Sequence, residues 1–204
     1  MALDPRIYLA SRSPRRRELL HQIHVHFEVL PFRAGLRQDG DTSEDVVAGE
    51  APSAYVQRIA RAKAQAGVLR IGYRRLAPQL VLAADTMIEL NGELIGKPDA
   101  PAHAADILAR LSGCTHRVLT AVAIADDAHV EDAFSVSEVC FRPLEAEEIE
   151  RYVATGEPLD KAGAYAIQGR AAMFVEEIRG SYSGIMGLPL FETAWLLRRF
   201  GYRL

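Results

Sequence analysis

Ser11-Arg12-Ser13-Pro14-Arg15-Arg16 sets hydroxyls and arginines between a short apolar run and a helix start. The first N–H groups of a helix lack intrahelical partners and favour an anion. Arginines at the same point grip phosphate oxygens in pairs. Ser11, Arg15 and Arg16 are therefore candidate phosphate ligands; the competing reading is a solvated basic turn with a good helix cap. Ala84-Asp85-Thr86 follows the apolar run Leu80 to Ala84, read as a buried strand that ends at Asp85. A carboxylate at such a strand end can hold a divalent cation or orient an attacking water, or it can cap a turn. In Gly96-Lys97-Pro98 the lysine sits between two backbone punctuators, suited to neutralising charge on a phosphate group or simply exposed on a loop. The segment is not a P-loop, because GxxxxGK[ST] is absent. In Asp160 to Gly169, two glycines bracket a short segment that ends in Gln168. Its amide offers a donor and an acceptor, enough to read the edge of a base, against the alternative of a packed turn.

The elements that must position these residues follow from periodicity. Ile7 to Ala10 predicts a buried strand, and Ser13-Pro14 predicts a helix start with Ser13 as N-cap and Leu19, Leu20 and Ile23 as its apolar stripe. Phe27 to Leu30 predicts a second strand. From Pro31 to Pro52 periodicity fails, a long polar loop of the kind that is usually functional or disordered. A helix resumes near Ser53, with Tyr55, Ile59, Ala62 and Ala66 at helical spacing. Met87 to Leu90 and Glu93 to Ile95 flank Asn91-Gly92, a hairpin signal. Helices are expected over Pro101 to Leu111, Glu145 to Ala154 and Pro189 to Phe200, with Trp195 in the core beside Leu196. Strands are expected over His116 to Ala125, Val130 to Phe141 and Met173 to Ile178. Strands alternating with helices, plus hairpins, imply an α/β fold with a mixed sheet.

Bulk properties exclude several classes. The 204 residues are enough to bury a core without staples, and a single domain over 1–204 is expected. A net charge of -3 argues against a stable nucleic-acid complex. No window approaches a membrane span of about 18 apolar residues, and Arg6 and the arginine cluster interrupt any signal-peptide core. Two cysteines without a CxxC pattern suit a reduced, cytoplasmic protein. His21, His24 and His26 match no zinc spacing and read as surface residues; His116 reads as structural. Ser181 to Gly184 lacks the GxSxG context of a serine hydrolase.

The ordered set of motifs resembles the Maf family of nucleotide pyrophosphatases across essentially the whole chain. The matching segments are Ser11 to Arg16, Ala84 to Thr86, Gly96 to Pro98, Leu111 to Thr120, Gly156 to Gly169 and Gly180 to Leu190. Each is weak alone; their order is specific. The resemblance implies a Maf/ITPase-like α/β fold: a mixed, twisted sheet flanked by helices, with two lobes around a deep nucleotide-binding groove. It also implies a homodimer and cleavage of a nucleoside triphosphate between the α- and β-phosphates with Mg²⁺ or Mn²⁺. On the matched positions Asp85 is the proton acceptor and a metal ligand. Lys63 and Lys97 face the triphosphate. Arg15, Thr86 and Gln168 are tied to substrate choice. The Tyr165 to Gly169 segment resembles the branch acting on dTTP and UTP, with related modified uridine nucleotides as further substrates in a house-cleaning role.

The acidic loop departs from the family pattern. Counting back from Gly49-Glu50 puts Glu44 at the metal-binding acidic position, but Ser43 stands where an Asp is usual, and Asp39, Asp41 and Asp45 are alternates. The alternative function is a nucleotide-binding regulatory module in cell division and septum formation. Turnover separates the two.

Overall fold

In the computed structural model, which describes residues 6–30 and 45–204, β1 (Ile7–Leu9) is buried at all three positions, as a strand covered on both faces must be. It pairs in parallel with β2 (Phe27–Val29) and β3 (Val81–Leu90). β3 turns back into β4 (Glu93–Ile95), its antiparallel partner. Asn91 and Gly92 between them have φ of 53° and 87°, the left-handed pair that a type I′ turn demands. β5 (Thr115–Ala125), β6 (Val130–Phe141) and β7 (Val175–Arg179) complete a mixed sheet ordered β2-β1-β3-β5-β6-β7, with β4 attached to β3. β7 is antiparallel to β6.

The helices are α1 (Pro14–Gln22), α2 (Pro52–Arg74), α3 (Pro101–Leu111), α4 (Ala146–Val153), α5 (Tyr182–Met186) and α6 (Leu190–Arg199). The first three open on a proline, whose missing N–H costs nothing in the first turn. Ser13 occupies the N-cap of α1 but makes no side-chain cap bond. α4 opens with a reciprocal capping box between Glu145 and Glu148. The expected architecture is therefore present: α/β, a mixed sheet flanked by helices. Among the described residues no helix is long and apolar enough to cross a membrane.

The chain forms two compact units. One comprises the described part of Met1–Asp85 with Thr120–Ser135 and Gly187–Leu204. There α2 packs so closely on β3 that a Cβ on Gly67 would lie 2.5 Å from Val81 Cγ1. Ile7, Leu9, Leu20, Ile59, Leu82 and Leu197 are among its fully buried side chains. The other comprises Thr86–Leu119 and Val136–Met186. Its core joins Ile107, Leu108 and Leu111 of α3 to Phe141, Tyr152 and Phe174. The Phe174 ring meets Tyr152 and Phe141 edge-on at 5.1 and 6.0 Å, the favoured aromatic geometry.

Three expectations change. Leu80–Ala84 and Met87–Leu90 are not two strands but one: β3 runs unbroken through Asp85, Thr86 and Met87, which are half-buried at its middle. A polar pair in an apolar run looks like a strand end, yet the backbone ladder needs only a paired neighbour. The Gly156 to Gly169 stretch contains the short 3-10 turns Glu157–Asp160 and Ala162–Ala164. β7 begins two residues later than expected, after a 3-10 turn over Arg170–Phe174. Trp195 is 46% exposed and lies against Arg199, 5.0 Å from its guanidinium carbon. Adjacent residues on a helix are about 100° apart, so Leu196 can be buried while Trp195 faces out.

Candidate active site

The Ser11 loop joins the end of β1 to the start of α1. Ala10 N–H donates to the Leu82 carbonyl at 2.8 Å, which holds the end of β1 to β3. Ser11 is buried, and its Oγ accepts from the Ser13 N–H and from Arg16 Nη1, both at 3.2 Å. Arg16 Nε donates to the Gly187 carbonyl at 2.7 Å. Burial pushes the Arg16 guanidinium down to about 10, with Arg15 pressing the same way and Asp85 opposing both. It stays charged at neutral pH. Arg16 thus ties the loop to the start of the C-terminal segment, while Arg15, half-buried beside it, has no resolved ion pair among the described residues.

Lys63 projects from α2 and donates to Asp85 Oδ1 of β3 at 2.8 Å, with side chains 21% and 14% exposed. Enclosure strengthens the attraction between the two charges and sets the cost of their desolvation against it, so removing either partner alone is disruptive. Nearer the start of the same helix, Arg58 clasps Glu50 with two bonds of 2.6 and 2.7 Å and also reaches the Asp45 carbonyl. The Arg58 hydrogen bond holds the Glu50 carboxyl below its usual range. Glu50 is therefore a structural counter-ion. Glu44 lies outside the described residues, as do Asp39 and Asp41.

In the other unit, Thr86 is half-buried on β3, and Lys97 is exposed between half-buried Gly96 and buried Pro98. The Gly96 carbonyl accepts from the Gly163 N–H at 3.0 Å, which fastens the lysine loop to the 3-10 turn at 162–164. Gly163 has φ +72°, and a Cβ there would lie 2.5 Å from Ile88 Cγ1; only glycine meets both demands. Past buried Tyr165, Ala166 and Ile167, the chain turns at Gln168, whose side chain is exposed. The Gly169 N–H closes that turn on the Ala166 carbonyl at 3.0 Å.

Spacing alone missed two contacts. Gly187 anchors Arg16 from 171 residues away, a separation no local pattern reveals. His116, 1% exposed, meets Tyr165 Oη through Nε2 at 2.9 Å, and burial drives its imidazole down to about 4. It is neutral and structural, as its strand position suggested. His21, His24 and His26 are all exposed.

Among the described residues no group of three or more His, Cys, Asp or Glu is gathered. The hard oxygen donor of Asp85 still suits Mg²⁺ or Mn²⁺, because such ions commonly take one or two protein carboxylates and fill the remaining positions with substrate phosphates and water. Lys63 engages one of the two carboxylate oxygens.

The comparisons with known proteins cover nearly the whole chain. The Maf-like protein family profile matches residues 6–200. A protein of Aromatoleum aromaticum named dTTP/UTP pyrophosphatase is 61% identical over 99% of this chain and 98% of its own length. Proteins of the same name from Dechloromonas aromatica and Nitrosospira multiformis are 57% and 52% identical, covering 97% and 99% of this chain and 98% of each relative. The structure of the Staphylococcus aureus Ham1 protein aligns with a TM-score of 0.50 and 16% identity over 96% of this chain and 97% of that one, a likeness of fold. By the extent of the profile match and by relatives more than half identical from end to end, this chain belongs to the Maf-like protein family.

Proposed function

We propose that this chain hydrolyses dTTP and UTP to the nucleoside monophosphate and pyrophosphate, and accepts related modified uridine triphosphates. The observation that carries the reading is that relatives 52–61% identical over 98% of their length are named dTTP/UTP pyrophosphatases. The pairing of Asp85 with Lys63 beside the arginine loop supports it.

In this reading the α1 N-terminus, Ser11, Arg15 and Arg16 hold the β- and γ-phosphates. Asp85 takes a proton from water as the water oxygen bonds to the α-phosphorus. The bond from that phosphorus to the α,β-bridging oxygen breaks, and pyrophosphate leaves with the electron pair. Lys63 holds Asp85 in place through its 2.8 Å bond to Oδ1, and Lys97 offsets the negative charge that grows on the phosphates. Asp85, with Glu44 as the second carboxylate, would hold a divalent ion, which supplies charge neutralisation to the triphosphate. Thr86 and Gln168 act in substrate choice, Gln168 through hydrogen bonds to the pyrimidine edge. We further propose a single functional domain, since the chain passes between the two units four times, at 85/86, 119/120, 135/136 and 186/187. A homodimer acting in the cytoplasm completes the reading.

The test is pyrophosphate release from dTTP, UTP, CTP, GTP, ATP and 7-methyl-GTP with Mg²⁺ or Mn²⁺, for the wild type and Gln168→Ala. Preferential turnover of dTTP and UTP, with the preference narrowed in the variant, supports substrate and reader together. Nucleotide binding by folded protein without any turnover sinks the enzyme and leaves the regulatory module of cell division.

A further inference from the structure

Two side chains outside the proposed chemistry bracket the turn that presents Gln168. Tyr152, buried at the end of α4, accepts the Ala166 N–H on its hydroxyl at 3.2 Å and donates that hydroxyl to Glu157 Oε1 at 2.8 Å. The Glu157 carboxylate in turn accepts the Arg170 N–H, at 3.1 Å to Oε1 and 3.3 Å to Oε2. A relay of one phenol and one carboxylate therefore joins the amide two residues before Gln168 to the amide two residues after it. Gly169 lies flat on the same carboxylate, and a Cβ there would overlap it. Glu157 is itself held, its carbonyl accepting from Lys161 Nζ at 2.7 Å and its N–H donating to Thr155 Oγ1 at 3.2 Å. Burial and the Glu157 carboxylate both raise the Tyr152 phenol above its ordinary value, so it remains a donor.

We propose that Tyr152 and Glu157 are positioning residues for substrate choice, clamping both flanks of the Gln168 turn so that its amide meets a pyrimidine edge in one orientation. The inference rests on Gln168 reading the base. A side-chain amide on an unrestrained turn loses most of its discrimination, because hydrogen-bond specificity depends on fixed donors and acceptors that an ill-fitting base leaves unpaired. Neither residue touches the phosphates in this assignment, so the effect belongs in KM and in the pyrimidine-to-purine ratio.

The decisive variant is Tyr152→Phe, which removes one oxygen while keeping the ring that packs on Phe174; Glu157→Ala is its companion. Steady-state kinetics with UTP, dTTP, ATP and GTP are compared for wild type, each variant, Gln168→Ala and the Tyr152→Phe/Gln168→Ala double variant. The expected result is a preference for UTP and dTTP that narrows by about 5-fold or more, mainly through KM. In the Gln168→Ala background, Tyr152→Phe changes the preference no further, because its effect passes through Gln168. A merely structural role lowers the melting temperature but leaves the ratio alone. A preference that survives Tyr152→Phe, or losses that add to Gln168→Ala, overturn the inference while the pyrimidine-triphosphatase reading stands. A wild type without pyrimidine preference overturns both. If Glu157→Ala does not fold, Tyr152→Phe decides.

Discussion

Replacing Asp85 by Asn separates chemistry from architecture. The amide has the same shape and keeps an oxygen for Lys63 Nζ, which now donates to Asp85 Oδ1 at 2.8 Å. Structurally the change takes the negative charge away from an enclosed Lys63 ammonium, about 3 kcal/mol on the scale for breaking such a pair from one side. For a chain of this size that is a drop of about 6–12 °C in melting temperature. Chemically the change removes the proton acceptor. A positioned general base is worth about 10²-fold or more, so kcat should fall by at least that factor, about 2.7 kcal/mol of barrier. KM should move little, since the lost interaction forms in the transition state. The assay is pyrophosphate release from UTP and dTTP at saturating divalent ion, with thermal unfolding measured on the same samples. Turnover within a few-fold of wild type, beside the expected drop in melting temperature, would refute the reasoning. Asp85 would then be the structural counter-ion of Lys63 and nothing more.

Three further outcomes follow from named contacts. Gly163→Ala combines a left-handed backbone with a Cβ 2.5 Å from Ile88 Cγ1 and should cost about 2–4 kcal/mol of stability. Gly156→Ala, also left-handed but with nothing within 4 Å, isolates the backbone share; equal losses for the two in denaturant melts refute the Ile88 contact. Folded His116 titrates at about 4 against 6.5 for an ordinary histidine, so between those values the unfolded chain binds a proton that the folded chain refuses. Stability should therefore fall as pH drops from about 6.5 to about 4, then stop responding to this group. In urea titrations across that range His116→Gln should flatten the slope, and an unchanged slope rejects the assignment. Chelation of divalent ions should abolish turnover while leaving the circular dichroism spectrum intact, and Mg²⁺ or Mn²⁺ should restore it. Full activity in excess chelator rejects the metal requirement.

The amino-acid sequence by itself determines whatever a local pattern can carry. Pro14, Pro52 and Pro101 mark helix starts because proline's fixed φ and missing N–H suit only the first turn. Asn91-Gly92 marks a hairpin because the turn needs two left-handed residues. Residue types and order likewise mark Ser11, Arg15, Arg16, Asp85, Lys97 and Gln168 as candidates, since phosphate recognition draws on few side chains, and the family resemblance adds Lys63 and Thr86. Tertiary structure alone decides how those side chains are engaged. That Arg16 is tied to Gly187 and Lys63 to Asp85 depends on packing across 171 and 22 residues of chain. That Asp85 lies within a continuous strand depends on sheet pairing, which satisfies the backbone whatever the side chain. Trp195 faces outward because α6 buries Thr193, Leu196 and Leu197 instead, a choice of helix face that apolarity by itself does not make. The Tyr152–Glu157 clamp shows the same division. Glu157 stands in a legible motif, but the hydrogen bonds to the Ala166 and Arg170 amides exist only once the chain has folded back on α4.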